Sequence, residues 1–162
     1  MIPRIGLILL AILPLVAQAG EIPAKPFGRG IILLPQYPPG KRPKVQPSPL
    51  IVVRDAKAYA RFLSRIPREQ ISRTRPAPPN TDPLLKKPRV DFAKHTLLVV
   101  TRESMTRPVF KNITATRMET LALVDFPREV IAARPTHIGT YTAVLIPRTD
   151  KSVRLKSIEA KR

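Results

Sequence analysis

The chain has 162 residues, a formal net charge of +18 and a hydrophobic fraction of 43%. That length allows one domain of ordinary size, and that hydrophobic fraction is enough for a core and argues against wholesale disorder. The sequence contains no Cys, which excludes disulfides, thiolate metal sites, a cysteine nucleophile and a lipid-attachment cysteine. Its 20 prolines are more than twice the usual share of about 5%, so parts of the chain are stiff.

The first 19 residues have the three-part pattern of a secretory signal peptide. Arg4 lies near the amino terminus, an apolar run occupies residues 5–16, and the small residues Ala17 and Ala19 precede a cleavage site. The apolar run is shorter than the ~20 residues that a membrane-spanning helix needs. We therefore predict cleavage after Ala19 and an exported bacterial protein, periplasmic or extracellular. The alternative is a leader that stays in place as an anchor.

Residues 20–49 predict an extended, proline-rich linker. The eight prolines of this stretch lack backbone N–H donors and disfavour helix at the residues that precede them. Residues 31–34 are the one segment that suits a short strand. A spacer is the simpler interpretation, and a Pro-x-x-P ligand for a partner is the alternative.

The folded part is predicted to begin at residue 50 with a short buried strand over residues 50–53. Asp55 then stands at the N-cap position of a helix over residues 56–66. The spacing of four apolar residues places them in one stripe along that helix. They are Tyr59, Phe62, Leu63 and Ile66. Residues 67–89 follow as a long, polar, proline-rich surface loop.

Beyond the loop the apolar residues change to the spacing of strands. The predicted strands cover residues 96–101, 110–118, 120–126, 140–146 and 152–158, the second and third forming a hairpin. One helix followed by several strands predicts an α+β domain over residues 50–158. In this fold class a small, largely antiparallel β-sheet carries one amphipathic helix.

Several segments of the sequence resemble the PrcB C-terminal domain family. Val90-Asp91-Phe92 leads through Lys94-His95 into the apolar strand at residues 96–100, after an aromatic-bearing helix, and residues 141–148 match the closing strand. The resemblance spans residues 50–158. It implies an exported bacterial protein with an α+β domain, no catalytic residues, and a role similar to that of a scaffold that stabilises a surface protease complex.

The residues suited to metal binding are few. His95 and His137 are the only histidines, and Asp91 lies four residues before His95, so these three form the one candidate metal site. A simpler interpretation makes Asp91 a turn former and His95 the first residue of a strand. We therefore predict no metal and no cofactor.

Catalytic motifs are equally sparse. None of the serines lies in Gly-x-Ser-x-Gly, and Gly28-Arg-Gly30 lacks the third glycine of a phosphate-binding loop. Asp125 is the one acid inside an apolar strand, where an outward-facing position explains it. We predict that the protein is not an enzyme, with no catalytic residues and no small-molecule substrate.

Positive charge is the strongest remaining signal. It amounts to +4 over residues 20–49, +7 over 50–90 and +6 over 91–162. On the predicted helix, basic residues recur on the side opposite the apolar stripe. With those of the following loop they form a predicted face for an anionic partner: Lys57, Arg61, Arg65, Arg68, Arg73, Arg75, Lys86, Lys87 and Arg89. The alternative is a basic face that is only solvated.

Two functions remain open at this stage. In the first, a non-catalytic domain binds an envelope or secreted protein and stabilises a complex, and an exposed sheet edge offers strand addition as the binding mode. In the second, the basic surface binds an envelope polyanion: anionic lipid, lipopolysaccharide or extracellular nucleic acid. Salt separates them, because contacts between charges weaken with ionic strength and a packed apolar interface does not.

Overall fold

A computed structural model of the chain describes residues 20–37, 48–72, 76–128 and 137–158. Within these residues lie eight strands, one α-helix, α1 (Ala56–Leu63), and one 3-10 helix (Pro83–Lys86). The strands are β1 (Gly20–Glu21), β2 (Lys25–Leu33), β3 (Leu50–Val53), β4 (His95–Arg102), β5 (Val109–Ala115), β6 (Glu119–Asp125), β7 (Ile138–Pro147) and β8 (Ser152–Ile158).

The strands form two sheets of four. The central sheet has the strand order β2-β7-β4-β3 and is antiparallel, whereas the outer sheet has the order β1-β5-β6-β8 and contains one parallel pair, β6 with β8. The predicted fold class, α+β with largely antiparallel strands and one helix, is confirmed. The arrangement differs from the prediction in one respect, because the strands divide between two sheets instead of forming one.

The central strand β4 shows how the layers stack. Leu97 and Val99 pack beneath α1, and Leu98 and Val100 pack against the outer sheet. Its continuous apolar sequence follows from this position, since a strand covered on both faces has no solvent side. The protein therefore has three layers, in the order helix, central sheet and outer sheet.

Helix α1 begins where the sequence predicts. The backbone N–H of Ala58 donates to Asp55 Oδ1 at 2.7 Å, which is the N-cap contact that orients the first turn. Phe62 is 2% exposed and meets Tyr141 of β7 edge to face, with ring centroids 5.3 Å apart. The helix ends at Leu63, before the predicted residue 66, although Ile66 is still buried in the same core.

The predicted linker is only partly a linker. β1 and the nine-residue β2 both lie within residues 20–33, and β2 pairs with β7 along its length. Pro26 is tolerated because β2 is an edge strand and because a bulge separates it from Gly28. Residues 38–47 of that linker, and Ala17 and Ala19 of the leader, lie outside the described residues.

Strands β3 and β8 are the edge strands at one side of the molecule, where they contact each other across the two sheets. The guanidinium of Arg54, just after β3, donates to Thr149 O at 2.9 Å and to Lys151 O at 2.6 Å. These bonds attach the end of β3 to the turn that leads into β8. The side at which both sheets end is therefore a fixed part of the fold.

Candidate functional site

The predicted basic residues lie on the helix layer. Seven of the nine are described, and Arg73 and Arg75 lie outside the described residues. Tyr59 Oη of α1 donates to Pro88 O at 2.9 Å, and the Tyr59 ring meets Phe92 edge to face, so the loop after the 3-10 helix runs beside α1. Six basic side chains are exposed there and are called the basic face below. They are Lys57, Arg61, Arg68, Lys86, Lys87 and Arg89.

Arg65 differs from the other predicted residues. It is half-buried, its Nε donates to Leu33 O at 3.1 Å, and its own carbonyl accepts from the N–H of Leu33 at 2.8 Å. Burial lowers the pKa of its guanidinium from the ordinary value, opposed by the nearby Tyr37, and an arginine remains charged at neutral pH even so. Arg65 therefore attaches α1 to the edge of β2 in addition to adding positive charge.

The ion pairs of the described residues involve no side chain of the basic face. Among the described residues the ion pairs join Lys94 to Asp91, Lys111 to Asp125, Arg148 to Asp150 and Arg154 to Glu119. Within those same residues no carboxylate lies within 4 Å of a charged nitrogen of the basic face. The basic face therefore carries positive charge that no ion pair among the described residues neutralises, although the acids Asp55 and Glu69 are close to it in the sequence.

The unpaired edge of β8, on the side away from β6, is the second candidate surface. β8 pairs with β6 along all seven of its residues, and within the described residues no backbone group of β8 bonds to anything on the opposite side. An edge strand of this kind presents a row of free N–H and C=O groups. We call this row the open edge.

The side chains of β8 alternate. Val153 and Leu155 are half-buried and pack on the core between the sheets, whereas Arg154 and Lys156 point to solvent. Ile158 at the end of the strand is 38% exposed. The open edge thus has an apolar inner side and a basic outer side. The prediction did not single out these residues, although a final strand with alternating valine, arginine, leucine and lysine is a readable signal for an amphipathic edge.

A buried polar pair lies between the loop and the central sheet. Tyr141 Oη donates to Asp82 Oδ2 at 2.6 Å, and Asp82 Oδ1 accepts from the N–H of Leu84 at 2.9 Å. Tyr141 is fully buried and Asp82 is 8% exposed. Gly30 of β2 lies directly beneath, since a Cβ there would collide with Asp82 Oδ2. Both carboxylate oxygens are engaged, so the pair holds the loop on the sheet.

Two open clefts flank the segment that crosses from β1 to β2. Their volumes are about 550 and 590 Å³, and Glu21, Ile22 and Pro23 line both. One residue that lines each cleft has a buried side-chain oxygen with no hydrogen-bond partner among the described residues, Asn112 Oδ1 for the first cleft and Thr120 Oγ1 for the second. The charges that line the second cleft nearly balance, so it shows no preference for one class of ligand.

The residues of the candidate metal site are not brought together. His95 pairs with Pro147 at one end of β7, and His137 immediately precedes the other end. A ten-residue strand rising ~3.4 Å per residue separates them by about 30 Å. Asp91 Oδ1 accepts from the N–H of Ala93 at 3.0 Å, as a turn former does. The described residues contain no group of three metal-binding side chains.

Comparisons with known proteins find nothing similar: no family model matches the sequence, and neither the curated proteins nor the solved structures contain a match. The resemblance to the PrcB C-terminal domain family stays a prediction based on the residues quoted above. Among the described residues no helix has the length and apolar character needed to cross a membrane.

Proposed function

We propose that this protein is a non-catalytic, exported bacterial protein whose α+β domain binds a partner protein and stabilises a complex by accepting a strand of that partner at the open edge. The observation that carries the proposal is the seven-residue strand β8, which is hydrogen-bonded on one side only within the described residues. The signal-like leader and the family resemblance support the same function from the sequence.

The physical basis is the chemistry of an unpaired strand. An extended segment that aligns with β8 gains main-chain hydrogen bonds at alternate residues, and side chains near the edge select among such segments. Proteins commonly protect an edge of this length with a covering loop, a proline or a bulge. Residues 152–158 contain no proline, and the pairing with β6 is regular. Among the described residues the positive charge of Arg154 and Lys156 is therefore the remaining protection of this edge, and it favours an added strand of opposite charge.

Site-specific photo-cross-linking in cells of the source organism tests the proposal on the full chain. A benzophenone amino acid replaces Ser157 of β8 in one variant and Lys57 of α1 in the other, and both positions are exposed. We expect a discrete protein adduct from position 157, absent from position 57, that mass spectrometry then identifies. No protein adduct at position 157, or the same adducts at both positions, would contradict the proposal.

A second candidate function is favoured by the basic face. Its six exposed cations have no carboxylate within 4 Å among the described residues, and such a surface attracts an anionic lipid, lipopolysaccharide or nucleic acid. Co-sedimentation with phosphatidylglycerol vesicles at about 0.15 M and 0.5 M salt tests it, because screening is severe at the higher concentration.

The matched variants for this second candidate follow from the geometry of the helix layer. Lys57→Glu with Arg61→Glu reverses two charges at exposed positions. Arg65→Glu is avoided because Arg65 holds β2. Loss of sedimentation at the higher salt and in the double variant is expected. Sedimentation that survives both changes would exclude the basic face as the binding surface.

A further inference from the structure

We infer that the segment bound at the open edge is an extended stretch of another protein in which acidic residues alternate with apolar ones. This inference rests on the proposed function and names the chemistry of its partner. It follows from the two sides of β8, which differ in charge, and from the register that strand addition imposes.

The outer side of β8 selects acidic residues. Side chains on directly opposite residues of neighbouring strands lie ~5 Å apart on the same face, so every second residue of an added strand falls beside Arg154 or Lys156. Lys156 has no carboxylate within 4 Å among the described residues, and Arg154 is 3.6 Å from Glu119 on the β6 side, with its side chain 73% exposed. Exposed ion pairs are weak and rearrange readily. Both cations are thus available to an incoming carboxylate.

The inner side of β8 selects apolar residues. Val153 and Leu155 are half-buried there, above the equally half-buried Leu50 and Val52 of β3 in the other sheet. The intervening side chains of an added strand would extend over this apolar border, since successive residues of a strand point to opposite faces. Covering it removes hydrocarbon from water, which favours valine, leucine or isoleucine at those positions.

A second copy of this chain is disfavoured as the occupant. Antiparallel pairing of two β8 strands centred on Leu155 places Arg154 of each copy opposite Lys156 of the other. Pairing centred on Arg154 places the two copies of Arg154 opposite each other, and pairing centred on Lys156 does the same for Lys156. Parallel pairing in register does the same. Like charges directly opposite are destabilising, and the net charge of +18 adds long-range repulsion between copies. In these registers the basic residues therefore disfavour self-association, and at the same time they favour an acidic partner.

Blocked seven-residue peptides, the length of β8, serve as the probes. One alternates Glu with Val, one alternates Lys with Val, and one has the composition of the first with its residues in separate Glu and Val blocks. Nuclear magnetic resonance of the labelled full-length protein locates binding and gives its affinity. We expect the alternating acidic peptide to change the chemical shifts of β8 and to bind about tenfold more tightly than either other peptide. The reason is that two cross-strand charge pairs become repulsive with the lysine peptide and lose their register with the block peptide.

Two double variants with equal changes of charge separate the open edge from the basic face. Arg154→Glu with Lys156→Glu is expected to invert the preference towards the lysine peptide, whereas Lys57→Glu with Arg61→Glu is expected to leave the acidic peptide bound as in the parent. Arg154→Gln with Lys156→Gln avoids repulsion from Glu119 and is expected to remove the preference without inverting it. Equal effects of the two Glu double variants would overturn the inference in favour of non-specific attraction.

Backbone methylation of the acidic peptide tests strand pairing itself. N-methyl groups on one alternating set of residues remove the N–H groups that face β8, and those on the other set remove only solvent-facing ones. We expect one set to abolish binding and the other to preserve it. Equal binding of both methylated peptides would show that charge alone holds the peptide.

The outcomes distinguish this inference from the function on which it rests. A cross-linked protein partner at position 157, together with no preference for the acidic peptide, would overturn the partner chemistry and leave the protein-binding function intact. Peptide preference without a cross-linked protein would leave the chemistry of the open edge supported and contradict the function.

Discussion

The two sheets of this protein have similar sizes but different surroundings. In the central sheet, β4 is buried at six consecutive residues from Thr96 to Thr101, whereas no residue of β8 in the outer sheet is buried. The helix layer covers one face of the central sheet and the outer sheet covers the other. The central sheet thus supplies stability, and the outer sheet keeps a face and an edge in contact with solvent, where the proposed partner would bind.

Apart from the buried oxygens of Asn112 and Thr120 in the outer sheet, the side-chain pairs described above follow the same division. At the central sheet, Tyr141 and the loop residue Asp82 are buried and hydrogen-bonded. The outer sheet instead has exposed ion pairs, such as that of Arg154 with Glu119. A buried polar group whose partner is removed loses its hydrogen bond without gaining water, but an exposed one is simply hydrated. Substitutions should therefore differ in effect between the sheets, and the following five predictions are arranged from the largest expected effect to the smallest.

Phe62→Ala removes the ring that α1 places on the central sheet. Because Phe62 is 2% exposed and packs against Tyr141, we expect the free energy of unfolding to fall by about 3–5 kcal/mol. Urea unfolding measures the change, with Lys57→Ala on the exposed side of α1 as the control. A Phe62→Ala protein as stable as the parent would show that the helix layer does not support the fold.

Gly30→Ala inserts a methyl group beneath the buried carboxylate. The new Cβ would collide with Asp82 Oδ2, which cannot withdraw without losing Tyr141, so we expect a loss of about 2–3 kcal/mol. Gly20→Ala is the matched control on the outer sheet, since a Cβ there has nothing within 4 Å. Equal unfolding midpoints in urea for the two variants would mean that the loop is not seated on β2.

Tyr141→Phe keeps the ring and deletes one hydroxyl. Asp82 Oδ2 then loses its donor while remaining buried, which lowers the free energy of unfolding by about 1–3 kcal/mol. Unfolding by urea at neutral pH measures this. Asp82→Asn with Tyr141→Phe removes the unpaired charge, so the double variant should recover part of the loss. A double variant less stable than Tyr141→Phe alone would contradict this account.

The same tyrosine makes stability depend on pH in alkaline solution. Burial raises the pKa of Tyr141 far above the ordinary phenol value of about 10, and the hydrogen bond to Asp82 raises it further. Above pH ~10 the unfolded chain loses this proton and the folded chain keeps it, so stability falls as pH rises, and the contribution is fully present below pH ~10.

The measurement is the difference between parent and Tyr141→Phe in urea unfolding from about pH 9 to pH 11. Above pH 10 we expect the free energy of unfolding of the parent to fall by up to ~1.4 kcal/mol per pH unit more than that of Tyr141→Phe. Tyr59, whose pKa burial also raises, is present in both proteins, so the difference isolates Tyr141. The same pH dependence of the free energy of unfolding in both proteins would contradict the buried hydrogen bond.

Arg154→Ala tests the outer sheet, where the effect should be smallest. The Arg154 side chain is 73% exposed and its ion pair with Glu119 spans 3.6 Å, so we expect a change in the free energy of unfolding below ~1 kcal/mol. Urea unfolding at low and high salt measures it. A large, salt-independent loss would place Arg154 in the structural part of the molecule and remove it from the binding surface.

Local sequence signals predicted the elements that they control. Asp55 and the apolar spacing that follows it define α1, and the period-two pattern of residues 152–158 gives β8 its observed bounds. The hairpin of β5 and β6 was predicted because its two strands are adjacent in the chain. In these cases the pattern of neighbouring residues determines the structure directly.

Features that depend on distant pairing were not predictable from one sequence. β2 contains proline and glycine and lacks alternation, so it suggested a linker, and its pairing with β7 involves residues more than 100 positions away. The site of Asp82, Gly30 and Tyr141 comes from three separate segments for the same reason. The residues of the basic face were named from the sequence, but the contact between Tyr59 and Pro88 that brings the loop beside α1 follows from no sequence spacing.

The pairing of β2 with β7 also sets the order in which the molecule can fold. β2 is synthesised more than 100 residues before its hydrogen-bonding partner, which begins only at Ile138. Closing so long a loop is slow compared with forming the hairpin of β5 and β6. The growing chain therefore cannot complete its central sheet until Ile138–Pro147 has been made. For a protein that is exported as proposed, this delay keeps the chain in a form that a secretion channel can still thread.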